Sequence, residues 1–182
     1  MEEKKYAVLI DGDNISSKYL DSILNEMTKY GIATYKRIYC DFTSQQSSKW
    51  RRLVRDSGIQ AMQQFANTVG KNATDSTLII DAMDILYTGN VDGFCIVSSD
   101  GDFTRLAIRL KESGMDVIGM GESKTPRSFR AACTVFTDLE ILYEAESEDD
   151  EISTKGKKPA VKHNVVKVSE IENVIIEYRD RP

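Results

Sequence analysis

The sequence predicts an α/β fold with a mostly parallel central sheet and helices on both faces. Short apolar, β-branched runs alternate with amphipathic stretches from residue 6 to residue 143, and several of the amphipathic stretches close on a glycine. Units of this kind join through right-handed crossovers, which makes neighbouring strands parallel. Ligands of such sheets bind outside the carboxyl ends of the strands, where the strand order reverses. The loops that follow the strands are therefore the places to look for chemistry.

The elements follow in order. "YAVLID", Tyr6 to Asp11, is a short apolar run and predicts the first strand. In "NISSKYLDSILNEMTKYG", Ile15, Tyr19, Ile23 and Met27 recur every four residues, which predicts a helix closed by Gly31. "IATYKRIYCD" is a second strand, and "SQQSSKWRRLVRDSG" a helix ending at Gly58. "IQAMQQF" alternates with period two and predicts a weaker strand. "TDSTLIIDAMDILY" is a strongly apolar helix starting near Thr74. "GFCIVSS" is the next strand, "DFTRLAIRLKESG" a helix closed by Gly114, and "MDVIGMG" a further strand. "TPRSFRAAC" is a short helix with Pro126 in its first turn, and "TVFTDLEILY" closes the domain. Three parts are expected: a folded domain over 1–143, a charged linker over 144–167, and an amphipathic helix over 168–182. The linker joins the acidic run Glu144–Glu151 to a basic one, Lys155–Lys162. In the last helix Ser169 and Glu172 form a capping box, and Val168, Ile171, Ile175 and Tyr178 share one face. It is expected to dock on a protein partner, to self-associate, or to begin a further domain.

Composition narrows the function classes. No apolar run approaches the ~20 residues of a membrane span, and no signal peptide is visible at the N-terminus. The cysteines, Cys40, Cys95 and Cys133, are widely spaced and odd in number, so a cytoplasmic chain without disulfides is expected. The lone histidine, His163, lies in the polar tail and rules out a His/Cys zinc site. The formal charge of −5 argues against nucleic acid, but residues 1–143 carry 17 Lys+Arg against 19 Asp+Glu. If several of those acids share one cleft, the surface outside it is net positive.

Three acidic stretches fall at the predicted ligand edge. "LIDGDN" supplies Asp11, Asp13 and Asn14; "KNATD" supplies Lys71 and Asp75, with Asp81 and Asp84 further along; "SSDGDF" supplies Ser98, Ser99, Asp100 and Asp102. Each acid has an ordinary explanation. Asp13 or Asn14 can cap the first helix, Asp75 or Thr74 the middle one, and Asp102 the helix that follows it. Asp84, ~60° round the wheel from Asp81, suits a solvated face. Together they point further, because converging carboxylates stay ionised only beside a compensating cation. All-oxygen ligands suit Mg²⁺ or Mn²⁺.

These blocks carry a family resemblance. "AVLIDGDNI", "KNATDSTLIIDAMDIL" and "GFCIVSSDGDFTRLAIRLKESGMDVIGMG" resemble, in order and spacing, the three signature blocks of the NYN domain, within the PIN-like nucleases that include the LabA-like proteins. The matching positions are Asp11 and Asn14; Lys71 and Asp75, with Asp81 as a second acid; and Ser98, Asp100, Asp102 and Phe103. "KNATD" is one residue longer than the commoner spacing. The resemblance implies a PIN-like three-layer α/β/α sandwich and Mg²⁺- or Mn²⁺-dependent ribonuclease chemistry. Asp11, Asp75, Asp100 and Asp102 are then the expected metal ligands. Asn14 orients water or phosphate, Ser98 and Ser99 offer hydroxyls, and Asp81 stands behind the ligands.

RNA requires cations on its phosphates. "KWRRLVR" places Lys49, Arg51, Arg52 and Arg55 on one predicted helix, and "KTPRSFR" adds Lys124, Arg127 and Arg130 beside another strand end. Either cluster also fits a solvated helix face, and Trp50 suits the core as well as it suits base stacking. Two other functions fit the same residues. One is a non-catalytic RNA-binding or regulatory module. The other is a haloacid-dehalogenase-type phosphatase, in which Asp11 is the nucleophile and Asp13 the acid/base. Against the phosphatase, Asn14 stands where Thr or Val is usual, and no cap insertion follows the first strand.

Overall fold

The computed structural model describes residues 3–45, 47–65 and 73–155. Lys71 and the helix expected over 168–182 lie outside them. The strands are β1 (Lys5–Asp11), β2 (Ile32–Cys40), β3 (Gln60–Gln63), β4 (Gly93–Val97), β5 (Asp116–Gly121) and β6 (Val135–Asp138). The helices are α1 (Leu20–Met27), α2 (Ser48–Ser57), α3 (Ala73–Thr88), α4 (Thr104–Glu112), α5 (Arg127–Ala132) and α6 (Leu139–Lys155). All five strand pairings are parallel, in the order β3-β2-β1-β4-β5-β6. The chain winds outward from β1 to β3, crosses back through α3, and winds outward the other way from β4 to β6. The reversal lies between β1 and β4.

Period-two alternation in β1 separates two cores. Ala7 and Leu9 pack with Leu78, Ala82, Phe103, Leu106 and Phe129, beneath α3, α4 and α5. Tyr6, Val8 and Ile10 pack with Ile23, Met27, Trp50 and Leu139, beneath α1, α2 and α6. Asp11 continues the Ala7–Leu9 side and is fully buried. β1 and β4 read as unbroken apolar runs because both their faces are covered.

Local rules place the helix ends. Gly58, at φ +62°, ends α2 in the left-handed conformation that a side chain disfavours. The first helix begins later than its four-residue stripe suggests. Gly12 to Ser16 stay irregular, a short 3₁₀ turn covers Ser17–Tyr19, and α1 starts at Leu20. Asn14 is drawn out of the helix because its side chain binds Asp11. The acidic run expected to open the linker is helical to Lys155. Asp138 accepts from the Glu140 amide at 3.1 Å and caps α6, and Glu, Ala and Leu are strong helix formers. The compact α/β unit ends at Ser147. No helix among the described residues is long and apolar enough to cross a membrane.

Trp50 resolves to the core. It is 2% exposed, and its indole N–H donates to the Gly12 carbonyl at 3.0 Å, so it cannot stack on a base. Trp50→Ala is expected to cost about 3–5 kcal/mol of stability, and Trp50→Phe about 1 kcal/mol. Both are read from urea unfolding midpoints.

Candidate active site at the carboxyl edge of the sheet

The site sits at the reversal between β1 and β4. Ile10 pairs with Val97, so Asp11 and Ser98 leave the sheet side by side. The Ser98 hydroxyl donates to Asp11 Oδ2 at 2.7 Å and accepts from the Asp100 amide at 3.0 Å. Asn14 donates to Asp11 twice, from Nδ2 at 2.7 Å and from its backbone at 3.3 Å. Both Asp11 oxygens are thus engaged. Burial raises its pKa, and the Ser98 and Asn14 hydrogen bonds oppose that rise.

The turn after β4 is built by Asp100, which accepts from the Asp102 amide at 2.9 Å and caps a 3₁₀ turn over Gly101–Phe103. The cap expected of Asp102 therefore belongs to Asp100. The end of β5 closes against this turn. The Glu122 amide donates to the Ser99 hydroxyl at 2.9 Å, and a Cβ on Gly121 would lie 2.5 Å from the Ser98 carbonyl oxygen. Ser99 accordingly braces the two strand ends through its acceptor oxygen.

From the other side, α3 brings Asp75 to the same place. Carboxylate oxygens of Asp75, Asp100 and Asp102 lie within 4.8 Å of one another. Asp75 is buried, Asp100 half-buried and Asp102 exposed. Burial first, then the charges of Asp11, Asp100, Asp102 and Asp13, push the Asp75 pKa up to about 6. An all-carboxylate set with surplus negative charge fits a hard divalent cation and poorly fits a soft one. Asp75, Asp100 and Asp102 are the residues placed to hold it. Asp11 stands behind them, joined through Ser98.

Asp13 is the member that spacing alone undervalues. Its Oδ2 accepts from the Thr74 hydroxyl at 2.7 Å, next to Asp75, so the loop after β1 is tied to the start of α3. Its position two residues beyond a buried strand-end acid was the available signal. Asp81 departs from expectation. Its carboxylate is taken by the Arg37 guanidinium and the Tyr39 hydroxyl, a half-buried ion pair that fixes α3 on β2. Asp84 is exposed, as a solvated position should be.

The basic clusters divide. Arg51 donates to the carbonyls of Phe42 and Ser44 and braces the loop after β2. Arg130 donates to the carbonyls of Glu122, Ser123 and Thr125, approaches Asp138, and lies over the Phe136 ring. Lys124 pairs with Glu122 at 2.8 Å. Arg51 and Arg130 are structural braces, whereas Lys49, Arg52, Arg55 and Arg127 are exposed.

Residues 5–140 match the NYN domain family. The chain belongs to that family. NYN domains form a PIN-like nuclease family, and the all-parallel sheet with helices on both faces agrees with the PIN-like fold. A crystal structure of a protein of unknown function from Vibrio parahaemolyticus superposes with a TM-score of 0.63 at 19% identity, covering 76% of this chain and 96% of that one. An uncharacterized protein of Methanocaldococcus jannaschii is 26% identical over 174 residues, 92% of this chain. The chain spans 66% of that relative's length. NYN membership sets aside the phosphatase alternative for the "LIDGDN" block.

The raised Asp75 pKa has a definite sign. The folded chain holds that proton more tightly than the unfolded chain, so metal-free stability is lost as pH rises through about 6 and regained as pH falls toward 4. In chelator, the melting temperature is expected to rise by ~3 °C, about 1 kcal/mol, between pH 7.5 and pH 5. Asp75→Asn should flatten this rise. Added Mn²⁺ should raise the melting temperature at pH 7.5 and much less at pH 5, as read by differential scanning fluorimetry.

Proposed function

We propose that this chain is a Mg²⁺- or Mn²⁺-dependent ribonuclease that hydrolyses RNA phosphodiester bonds in RNA processing or turnover. The observation that carries this reading is the convergence of Asp75, Asp100 and Asp102 at the strand-order reversal of an NYN domain. RNA is the substrate class on which NYN nucleases act.

Asp75, Asp100 and Asp102 would hold the ion. When bound, it supplies charge neutralisation at the phosphate and activation of water. The chain's own residues prepare that place. Burial and the neighbouring acids raise the Asp75 pKa, and a bound cation would offset that penalty on its charged form. Asp11, clamped by Asn14 and Ser98, fixes the Ser98 hydroxyl, which in turn fixes the Asp100 amide. Asn14 thereby orients a carboxylate with one amide N–H, and its second N–H and its Oδ1 would remain to meet water or phosphate. Ser98 works within the site's frame, and exposed cations outside it meet the RNA phosphates. A cytoplasmic setting suits the three buried free thiols.

Mn²⁺ or Mg²⁺ should support cleavage of a labelled single-stranded RNA, and chelator should abolish it. Asp75→Asn and Asp100→Asn should each lower the rate roughly 100-fold or more while preserving the far-ultraviolet circular dichroism spectrum. Wild-type activity in folded Asp100→Asn would sink the assignment. Binding of RNA without cleavage at any Mn²⁺ concentration would make the domain a non-catalytic RNA-binding module.

A further inference from the structure

A trough leads away from the acids on the opposite side of the sheet edge. It consists of two adjoining hollows of about 430 and 610 Å³ that share Ser16, Ser17 and Lys49. The first opens at Gly12 and Asp13 and runs between the loop after β1 and the start of α2. The second continues along the α1–α2 side to Arg52, and Asp21 and Asp56 line it as well. Its mouth is joined to the acid cluster by a hydrogen bond, since Asp13 accepts from Thr74, the residue before Asp75.

We propose that this trough holds the phosphate backbone of single-stranded RNA on one side of the cleaved bond, with Lys49 on the nearest phosphate and Arg52 on the next. The inference rests on the ribonuclease reading for the position of that bond. Three observations favour this side over the α5 side. Lys49 and Arg52 are exposed and three residues apart on α2, so they lie on neighbouring positions of one helix surface. Lys49 lines both hollows, so a strand passing from one to the other must cross it. On the α5 side, Lys124 is paired with Glu122, and Arg130 is spent on three carbonyls.

The neutral groups of the trough suit a phosphate chain better than a base. Ser16, Ser17 and Ser48 offer hydroxyl donors, and Trp50, the aromatic residue lining the first hollow, is buried with its N–H committed to the Gly12 carbonyl. Asp21 and Asp56 oppose a polyanion at the far end. They limit the grip to about two phosphates, after which the strand leaves the surface.

The test separates binding from cleavage. Fluorescence anisotropy with a labelled 12-nucleotide single-stranded RNA is measured in Asp100→Asn protein, alone and with Lys49→Gln and Arg52→Gln added. The double change is expected to weaken binding about tenfold or more at low salt. It should also reduce the slope of log affinity against log salt by about 1–1.5. Arg109→Gln, on α4 across the sheet, should change neither. In the active protein the same pair should raise KM and leave kcat within about twofold. Cleavage by wild type together with unchanged binding and KM in Lys49→Gln/Arg52→Gln would overturn the trough and leave the ribonuclease standing. Absence of cleavage with binding lost in the double variant would overturn the ribonuclease and leave the trough. Failure of the wild-type chain to bind RNA would overturn both.

Discussion

The hydrogen bond from Ser98 to the buried carboxylate of Asp11 joins the two strands between which the chain reverses direction. The rest of the site is arranged about it. A parallel sheet wound outward from its centre leaves a gap where the first helices diverge to opposite faces, and loops at that gap lack a covering helix of their own. Asp11 answers part of that problem. It takes hydrogen bonds from Asn14 on its own loop and from Ser98 on the next strand, so two loops are fixed by one carboxylate. Because Ser98 also accepts from the Asp100 amide, the position of Asp100 depends on Asp11 without direct contact between their side chains. A buried carboxylate at this point is stabilised by its donors and destabilised by its desolvation, and both effects are present.

The residues that anchor the frame differ from those that carry surplus charge. Asp81 is held by Arg37 and Tyr39, and Asp138 caps α6 and meets Arg130. These acids have partners and secure the elements around the site. Asp75 stands in the opposite environment, buried and surrounded by other acids. Placing it there costs the metal-free fold stability, which the apolar packing of α3 through Leu78, Ala82 and Ile85 offsets. The ion pair of Asp81 with Arg37, about 9 Å further along the helix axis, ties α3 to β2.

Much of this was legible in the sequence because the decisive patterns are local. Apolar runs of four to six residues gave the strands, and the helix ends followed Gly58 and Gly114. The acids at strand ends marked the edge where ligands bind. What escaped was set by contacts between distant segments. Asp81 looked like a member of the acidic set because nothing near it in the chain shows that Arg37 and Tyr39, more than forty residues earlier, face it from β2. Arg130 and Arg51 looked like cations for RNA because carbonyl acceptors leave no trace in sequence. The helical course of the acidic run to Lys155 was masked by its charge, which resembles a linker more than it resembles a capped helix.

The same division explains why a chain of net charge −5 can face a polyanion. Near the α5 end, Arg130 is committed to carbonyls and Lys124 to a neighbouring acid, and both hold the β5–α5 loop in shape. On α2, Lys49 and Arg52 project beside a hollow that begins at Asp13. Formal charge counts both sets alike. A phosphate chain does not, because screening confines its attraction to charges within about 8–10 Å. Local placement of two exposed cations next to the mouth of the acidic cleft therefore counts for more than the formal charge summed over the whole chain.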